Sequence, residues 1–554
     1  MILMFVLLIP DIYFLFETWN IYFFCLSLFC LIYIFSIIKT TKYIFLLLPV
    51  FILVPLYLYY ISIYNVPINE QVLSIVLETD FQEALYFIGY KVLWYCGIVV
   101  LWIIFCIYIV FRNYKKPLVW QHRTRWWFLI VGTVYVVFSY SINAEVANEI
   151  DLTLGSQQDN FLVDEKNFFI QEVKRTYPLG FFISIYDLLK EQRKINTAFE
   201  KNQNFKFLAR QNAYVEQKQI YILVIGETSR RKNWQLNGYV RSTNPALSQQ
   251  TNLVNFSNML SISNATRSAI PMILTRKPAE QVYKFTFAEK SVISAFKEAG
   301  FKTYWLSTQQ RFGSFDTSTS VYAKEADQVI FMNKANYTDA GEKDDVLIPI
   351  LDKIIHSTEN RQFIVIHMLG SHYNYAHRYS DEFDIFKPSL KSLSKYDLQD
   401  KKYKNELMNS YDNSILFTDY VLNEFIKKLK QQEDAKSFLL YTSDHGEDIF
   451  DDGCDKSGHG LETKNNFEIA SFIWYSDTFL KSSTDKVNIL KENKGRKLNQ
   501  TAIFPTLIDA ANIKIPKYQK DRSILKRFQN YPRLVLGSKN YDLARYESIC
   551  KEIK

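Results

Sequence analysis

Residues 220–228 read Ile-Tyr-Ile-Leu-Val-Ile-Gly-Glu-Thr, an uninterrupted apolar run that ends in Gly226-Glu227-Thr228. A short run of β-branched and other apolar residues is typical of a strand that is buried on both faces. Three later runs have the same character: Thr303–Leu306, Phe363–Met368 and Phe438–Tyr441. Amphipathic helical stretches lie between them, at Ser291–Ala299 and Asn413–Leu429. The alternation predicts an α/β domain with a mainly parallel sheet that helices cover on both faces.

Ionisable side chains cluster just beyond the predicted strands, where chemistry collects in sheets of this kind. They are Glu227 after the first strand, His367 and His372 at the end of the third, Asp444, His445 and Glu447 after the fourth, and His459 in a later loop. Four of the chain's seven histidines belong to this set. Carboxylates combined with imidazoles, without cysteine, suit a divalent metal such as zinc that keeps an exchangeable ligand. The sequence therefore predicts a metal site at the carboxyl edge of the sheet.

Charge and cysteine usage narrow the class of protein. The net charge of +8 is spread along 554 residues without basic blocks interleaved with aromatics, so we expect no nucleic-acid partner. No Cys-x-x-Cys pair occurs, which argues against a thiolate zinc site. Only Cys454 and Cys550 lie outside the apolar segments. At most one disulfide is therefore possible in the polar part, and the sequence does not decide whether it forms.

The first 142 residues are rich in Phe, Ile, Leu, Tyr and Val, as membrane-spanning helices of roughly 20 apolar residues are. The predicted spans are Met1–Phe16, Asn20–Ile38, Ile44–Ile63, Val92–Phe111 and Trp126–Ile142. The first is the weakest, because it is short and is interrupted by Pro10 and Asp11. The pattern predicts an N-terminal α-helical transmembrane domain of about five spans.

Basic residues in the short loops predict the orientation of these spans, because such loops stay in the cytoplasm. The basic residues are Lys39 and Lys42 between spans two and three, and Arg112, Lys115, Lys116, Arg123 and Arg125 between spans four and five. An odd number of spans then places everything after residue 142 outside the cytoplasm. Just beyond, Pro178–Lys190 has apolar residues at helical spacing and predicts a bridging helix along the membrane surface.

Several short motifs occur in a fixed order along the chain. They are Gly226-Glu227-Thr228-Ser229-Arg230, Asn237–Leu247, Asn255-Phe256-Ser257-Asn258, Thr266–Pro271, Ser443–Glu447 and His459-Gly460. Together they resemble the motifs of bacterial lipopolysaccharide phosphoethanolamine transferases, which belong to the alkaline phosphatase and sulfatase superfamily. The resemblance covers essentially the whole chain. It implies a transmembrane domain at 1–142, a linker with interfacial helices at 143–214 and a periplasmic zinc-dependent catalytic domain at 215–554.

The same resemblance implies the residues of the site. Glu227, Thr266, Asp444 and His445 would hold the catalytic zinc, with Thr266 as the nucleophile. His372 and His459 would contact the phosphate group or a second zinc, and either is a candidate proton donor. In the outer loop, Thr79 and Glu83 would help to hold the ethanolamine head group. From the residues alone, Ser263 and Ser268 rival Thr266 as the nucleophile.

The implied activity is the transfer of phosphoethanolamine from phosphatidylethanolamine to a lipopolysaccharide component, namely lipid A, Kdo or a core heptose. The transfer would pass through a covalent phosphoethanolamine-threonine intermediate, in a monomeric multi-pass protein of the bacterial inner membrane. The alternative readings are a lipoteichoic-acid-synthase-like glycerol-phosphate transferase and another superfamily phosphotransferase acting on a surface glycan. A sulfatase would carry Cys-x-Pro-x-Arg at the nucleophile, where this chain has Thr266-Arg-Ser-Ala-Ile. A catalytically silent sensor would tolerate loss of a metal ligand, and all four implied ligands are present.

Two departures from the family pattern stand out. Gln309 and Gln310 occupy the place of phosphate-contacting residues, and no lysine accompanies them. Ile262 and Met272 stand where many members brace the nucleophile loop with a disulfide. We therefore expect reductant to leave the enzyme active, with a Cys454–Cys550 bond as the suspect if it does not.

Overall fold

The computed structural model describes residues 7–12, 25, 27–29, 31–32, 35, 40–64, 68, 73, 91–115, 122–134, 176–202, 204–211, 217–284, 287, 289–310, 318–333, 342–394, 396, 398–527 and 530–554. The predicted head-group residues Thr79 and Glu83 lie outside this set. The chain divides into two compact units, Met1–Leu77 with Tyr90–Arg193 and Glu78–Gly89 with Lys194–Lys554. The predicted boundaries at residues 142 and 214 stay a prediction.

Three long helices lie in the N-terminal part of the chain: α1 Thr40–Tyr64, α2 Lys91–Lys115 and α3 Leu179–Asn202. Helix α1 covers the predicted third span, α2 covers the fourth, and α3 includes most of the predicted bridging stretch. Residues 124–134 are also helical and overlap the first half of the predicted fifth span. A search of the residues described above finds no helix with both the length and the apolar character needed to cross a membrane. The five-span prediction therefore stays a prediction.

The C-terminal unit combines one large sheet with several small ones. Its strands are β1 Arg210–Gln211, β2 Gln219–Gly226, β3 Leu253–Asn255, β4 Met259–Leu260, β5 Lys302–Gln310, β6 Gln328–Asn333, β7 Arg361–His367, β8 Lys436–Ser443, β9 Asp448–Ile449, β10 Ser457–Gly458, β11 Glu468–Ile469, β12 Ser471–Tyr475, β13 Leu498–Asn499, β14 Ile513–Lys514, β15 Leu534–Val535, β16 Lys539–Asn540, β17 Tyr546–Glu547 and β18 Glu552–Ile553. Its helices are α4 Thr266–Leu274, α5 Val292–Glu298, α6 Ser318–Ala323, α7 Leu347–Ile355, α8 Lys404–Lys430, α9 Lys464–Phe467, α10 Asp477–Ser482, α11 Thr484–Glu492 and α12 Ile503–Ala510.

The large sheet has the strand order β3-β12-β8-β2-β7-β5-β6. Strand β2 pairs in parallel with both β7 and β8, and β5 pairs in parallel with β6 and β7. At one edge, β12 runs antiparallel to β8 and to β3. The four predicted strands lie in β2, β5, β7 and β8, so the mainly parallel sheet is confirmed with an antiparallel edge added. The two predicted helices are α5 and the C-terminal two thirds of α8.

The sheet is buried on both faces, and β2 shows why. All eight of its residues are buried. Its side chains alternate between two separate apolar clusters, with Tyr221, Leu223 and Ile225 in one and residues 220, 222 and 224 in the other. Successive side chains of a strand point to opposite faces of the sheet. An unbroken apolar run therefore fits a strand whose two faces are both covered by other parts of the protein.

The structure decides a disulfide pairing that the sequence left open. Cys454 and Cys550 are bonded to each other, although 96 positions separate them in sequence. Cys454 follows the turn Asp451–Gly453, and Cys550 lies in the connection between β17 and β18. The chain folds these two loops against each other, which spacing alone does not reveal. The expectation that reductant leaves the activity unchanged stays a prediction, and this is the bond that reductant would break.

Candidate metal centre

Strands β2 and β8 deliver the candidate metal ligands to one point. The two strands are parallel, and their last residues, Gly226 and Ser443, are directly paired. Glu227 and the Asp444-His445 pair therefore leave the sheet side by side at its carboxyl edge. One ligand atom from each of these three residues lies within 4.8 Å of the others, and all three side chains are buried. The spacing between the atoms is that of groups around one ion.

Thr266 lies beside this cluster at the first residue of helix α4. Its Oγ1 is 3.2 Å from Glu227 Oε2 and 3.3 Å from His445 Nε2. The side chain is half-buried, whereas the three ligand side chains are buried. The rival hydroxyls are engaged elsewhere, because Ser263 Oγ and Ser268 Oγ lie 2.7 Å apart and hydrogen-bond each other. Geometry therefore favours Thr266 over both serines, and its chemical role stays a prediction.

The donor set fits a divalent cation. Asp444 Oδ1 accepts hydrogen bonds from the backbone N–H groups of Thr228, at 3.0 Å, and His445, at 2.7 Å. Within the described part of the chain, the other oxygen, Oδ2, is buried and accepts no hydrogen bond. A buried carboxylate oxygen without a donor is costly, and a cation satisfies it. His445 Nδ1 lies 2.9 Å from the Gly446 carbonyl, so Nδ1 carries the proton and Nε2 is free to coordinate.

The pKa values of the cluster also favour binding of a cation. Burial opposes ionisation of Glu227, but His445, then His372 and His459, hold its pKa well below the usual range. Burial, and next the negative charge of Glu227, raise the pKa of Asp444 to about 7. Burial lowers the pKa of His445, yet Asp444 and Glu227 outweigh it and raise that pKa to about 10. Two buried carboxylates thus create a strong local preference for positive charge.

Thr228 and Gly370 fix the position of Glu227. Thr228 has φ of 58°, an unusual value for a β-branched residue, and its hydroxyl donates to Glu227 Oε1 at 2.8 Å. Gly370 passes so close that a Cβ there would lie 2.8 Å from the Glu227 backbone N. Buried Asp344 holds this stretch by accepting the N–H groups of Leu369 and Gly370, each at 2.8 Å. Sequence reasoning assigned no role to these residues, because their contacts join distant segments.

Gln309 supports the cluster directly. Its Nε2 donates to Glu227 Oε2 at 3.2 Å and to the Met368 carbonyl at 3.1 Å. In this chain Gln309 therefore contacts a candidate metal ligand. The resemblance had implied a phosphate contact at this position, and that role stays untested.

Gln500 joins the Thr266 segment to the Asp444 segment. Its Nε2 donates to the Asp444 carbonyl at 2.6 Å, and its Oε1 accepts from Ser261 Oγ and from the Ile262 N–H, each at 3.1 Å. Ser261 also donates from Oγ to the Asp444 carbonyl at 2.5 Å. The side chain of Gln500 is fully buried. The Thr266 segment is thus held by buried hydrogen bonds, in a chain that has Ile262 and Met272 where the resemblance implies a local disulfide.

The two histidines implied to act on phosphate lie on the open side of the cluster. The ring of His459 is 4.7 Å from the ring of His445 and 6.0 Å from that of His372, measured between centroids. His459 Nδ1 is 3.7 Å from Glu447 Oε1. Burial lowers the pKa of His459, but Glu447 outweighs it and raises that pKa above its usual value. The structure thus brings His372 and His459 to the cluster, as the sequence predicted for their position.

The sequence grouped Glu447 and His367 with the site, but the structure places these two residues in different environments. Within the described residues, both carboxylate oxygens of Glu447 are buried without a hydrogen-bond donor, beside His459. His367 is buried, and burial lowers its pKa to about 4. Its ring packs edge-on against Trp305 at 5.8 Å. His367 is therefore a neutral core residue, whereas Glu447 is a buried neighbour of His459.

The motif Asn237–Leu247 has a structural role in this fold. Tyr239 donates from its hydroxyl to Asp412 Oδ2 at 2.8 Å, and Arg241 reaches the same oxygen at 2.8 Å. Asn255 donates from Nδ2 to Asn237 Oδ1 at 2.8 Å. Because Asp412 lies on helix α8, the first two bonds fasten the loop after β2 to that helix, and the third fastens the loop to β3.

Comparison with known proteins agrees with this architecture. The family profile named Sulfatase matches residues 219–513, which is more than half of the chain. The chain therefore belongs to the sulfatase family. A second profile, described as Phosphoethanolamine transferase EptA/EptB, matches residues 23–147. The resemblance to phosphoethanolamine transferases drawn from the motifs is confirmed.

An individual relative supports the same family assignment. Phosphoethanolamine transferase EptA of Escherichia coli O157:H7 is 29% identical over 319 residues, which is 56% of this chain and 56% of that protein. The chain thus spans little more than half of that relative's length.

Two solved structures share the fold. The periplasmic domain of Escherichia coli EptC, in complex with zinc, is 24% identical with a TM-score of 0.54 and covers 62% of this chain and 98% of its own. The integral membrane lipooligosaccharide phosphoethanolamine transferase A of Neisseria meningitidis is 20% identical, with a TM-score of 0.67, 90% coverage of this chain and 89% of its own.

Proposed function

We propose that the chain is a zinc-dependent, membrane-embedded phosphoethanolamine transferase that modifies a lipopolysaccharide component, with Thr266 as the nucleophile. The observation that carries this proposal is the position of the Thr266 hydroxyl, 3.2 Å from a Glu227 carboxylate oxygen and 3.3 Å from His445 Nε2. A half-buried hydroxyl that lies within hydrogen-bonding distance of two buried candidate ligand side chains is suited to covalent catalysis. The names of the relatives supply the group that is transferred.

Glu227, Asp444, His445 and Thr266 would hold the ion, a set of oxygen and nitrogen donors that suits zinc. Bound there, zinc would lower the pKa of the Thr266 hydroxyl and offset negative charge on the phosphate. Thr266 is the first residue of helix α4, so the positive end of the helix dipole would favour the same anion.

The chain's own residues then carry the transfer. Thr266 releases its hydroxyl proton to water as Oγ1 attacks the phosphorus of phosphatidylethanolamine, and the bond from phosphorus to the diacylglycerol oxygen breaks. A protonated His459 or His372 gives a proton to that oxygen, so diacylglycerol leaves as a neutral alcohol and phosphoethanolamine remains on Thr266. The acceptor hydroxyl next gives its proton to the same, now neutral, histidine as its oxygen attacks the phosphorus, the bond to Thr266 breaks, and Thr266 takes a proton back from water. The acceptor would be lipid A, Kdo or a core heptose.

The membrane assignment rests on sequence and on relatives. The apolar residues 1–142 and the match of residues 23–147 support an N-terminal transmembrane domain with the catalytic domain in the periplasm. A lipid donor and a glycolipid acceptor both require a site next to the bilayer. We further propose that the protein acts as a monomer in the inner membrane, and that Thr79 and Glu83 bind the ethanolamine head group.

The decisive experiment traps the intermediate. The full chain is incubated with phosphatidylethanolamine without acceptor, and peptides around residue 266 are mapped by mass spectrometry. We expect a phosphoethanolamine adduct on Thr266 that Thr266→Ala abolishes while zinc content persists. The matched control, Ser268→Ala, removes a neighbouring hydroxyl and should keep the adduct.

Three outcomes would contradict parts of the proposal. An adduct that survives Thr266→Ala places the nucleophile elsewhere. A glycerol-phosphate adduct formed from phosphatidylglycerol would favour the lipoteichoic-acid-synthase reading. Surface glycolipids that are identical in cells with and without the gene would exclude the proposed acceptors.

A further inference from the structure

The last strand pair of the chain packs against the loop that carries His459. We name residues 546–553 the C-terminal hairpin and residues 451–464 the His459 loop. The hairpin consists of β17 and β18, two strands of two residues each. A pair of strands this short is not stable by itself in water, so its position depends on what it is attached to.

Contacts with the His459 loop attach the hairpin along its whole length. Near its turn lies the disulfide between Cys550 and Cys454. At its end, the Ile553 N–H donates to the Glu462 carbonyl at 2.8 Å, and the Lys464 N–H donates to the Lys551 carbonyl at 3.1 Å. The hairpin therefore holds the His459 loop before and after His459.

The contacts near the turn differ in strength from those at the end. Ile553 is buried with 1% of its surface exposed, whereas Ile549 in the turn is 62% exposed. The ion pair between Lys551 and Asp452, at 3.1 Å, lies on the surface, where such pairs contribute little. Near the turn, the disulfide is accordingly the covalent contact that fixes the hairpin, beside the hydrogen bond from the Lys464 N–H to the Lys551 carbonyl.

On its other side, the His459 loop is bonded to the nucleophile segment. The Gly460 N–H donates to the Asn264 carbonyl at 2.9 Å, and Asn264 donates from Nδ2 to the Leu461 carbonyl at 3.1 Å. Asn264 lies two residues before Thr266 and is buried. One continuous set of bonds thus runs from the hairpin through the His459 loop to Thr266.

The three metal-ligand side chains are held independently of the hairpin. Glu227 is fixed by Thr228 and Gln309, and Asp444 and His445 are fixed by backbone groups at the end of β8. Loosening the hairpin should therefore displace His459 and the Thr266 segment before it disturbs the metal centre.

We propose that the Cys454–Cys550 disulfide, acting through the C-terminal hairpin, positions His459 and the nucleophile segment, so that its reduction lowers turnover while metal binding is retained. The turnover part rests on the proposed function. The structural part does not, because it concerns only the mobility of the His459 loop. Cys550 is half-buried and Cys454 is buried, so reductant would reach the bond from the Cys550 side.

The test compares the oxidised full chain with the chain reduced by a phosphine, because a dithiol would also bind zinc. Hydrogen exchange followed by mass spectrometry reports on residues 457–463 and 261–268. We expect exchange in both segments to accelerate about tenfold on reduction, since the protecting bonds open locally. Activity should fall about tenfold in kcat with KM nearly unchanged, because misplacement of reacting groups affects the chemical step. Zinc content should be constant, and reoxidation should restore kcat.

Two variants sharpen the test. Cys454→Ala with Cys550→Ala should reproduce the reduced state and no longer respond to reductant. Lys551→Ala, which removes a surface ion pair of the same hairpin and keeps the disulfide, should behave like the unmodified chain.

The inference is overturned if thiol titration finds two new thiols while exchange and kcat stay the same. Loss of zinc or of cooperative melting on reduction also overturns it, because the bond would then hold the whole domain. If the oxidised chain shows no transferase activity, the proposed function fails, while the exchange measurement still decides the role of the disulfide.

Discussion

The two sides of the candidate site are built differently. On the metal side, Glu227, Asp444 and His445 are almost completely buried, and backbone or side-chain hydrogen bonds fix each of them. On the open side, the His459 side chain is 28% exposed and faces Glu447 across 3.7 Å. The residues of the metal side directly follow strands β2 and β8. His459 instead lies in a loop that is held in place by contacts with other parts of the chain.

This difference indicates a division of labour. A metal centre benefits from ligands that are fixed before the ion binds, since rigid supporting contacts set its geometry. A site for a lipid phosphate must admit and release large substrates, so one side needs room and adjustable contacts. In the proposed function, the buried carboxylates of Glu227 and Asp444 would provide charge, and His372 or His459 would provide proton transfer. Substitutions on the metal side should therefore lower metal binding and turnover together, whereas substitutions on the open side should lower turnover while metal binding is retained.

The largest effect is expected from Glu227→Gln. The substitution removes one of two buried negative charges, so we expect zinc to be lost from the purified protein. Turnover should fall by about a thousandfold or more, because both activation of the nucleophile and charge stabilisation depend on the ion. Metal analysis and an assay of phosphatidylethanolamine cleavage measure both effects. Glu433→Gln, an exposed matched control, should change neither. Zinc retention by the Glu227 variant would refute its assignment as a ligand.

A smaller and different effect is expected from His459→Ala. Loss of a proton donor should lower kcat by about a hundredfold, within the range for general acid catalysis. Zinc content should persist, because the side chain lies outside the buried ligand cluster. Single-turnover formation of the Thr266 adduct measures the step directly. His356→Ala alters an exposed histidine at the end of α7 and serves as the control. Equal loss of zinc and of turnover would show that the two sides are not separable.

The smallest effect is expected from Gln500→Ala, which removes the Gln500 hydrogen bonds between the Thr266 segment and the end of β8 but leaves the bond from Ser261 to the Asp444 carbonyl. Buried groups left without partners cost about 1–3 kcal/mol, so the melting temperature should fall by several degrees. We expect kcat to fall about tenfold with zinc retained, because Thr266 is held less accurately. Gln249→Ala, at an exposed glutamine, is the control. A variant with normal kcat would mean that Gln500 serves stability alone.

The fold of the C-terminal domain was predictable because its signals are local. Continuous apolar runs mark β2, β5, β7 and β8, and these runs alone indicate strands covered on both faces. The short strands β4, β11 and β13 were not predicted, since two residues each carry no periodic pattern. The antiparallel edge strand β12 was missed too, because strand direction depends on pairing partners and not on composition.

The candidate site was predictable only in part. Glu227, Asp444 and His445 stand next to strand ends, so their convergence follows from a parallel sheet. Gln500, Asp344 and Gln309 act through hydrogen bonds to distant segments, and no local pattern marks them. His367 shows the reverse error, because a histidine at a strand end turned out to be a core residue.

By itself, the sequence determined the alternation of buried strands, the residue types at their ends, the apolar first 142 residues and the family motifs. These features depend on hydrophobic periodicity and on residue chemistry, which are read along the chain. The tertiary structure alone decided that the Thr266 hydroxyl faces the carboxylates and that Gln500 joins the Thr266 segment to the Asp444 segment. It also decided that Cys454 pairs with Cys550. Each of these depends on contacts between residues far apart in sequence, and such contacts exist only once the sheet has brought its loops together.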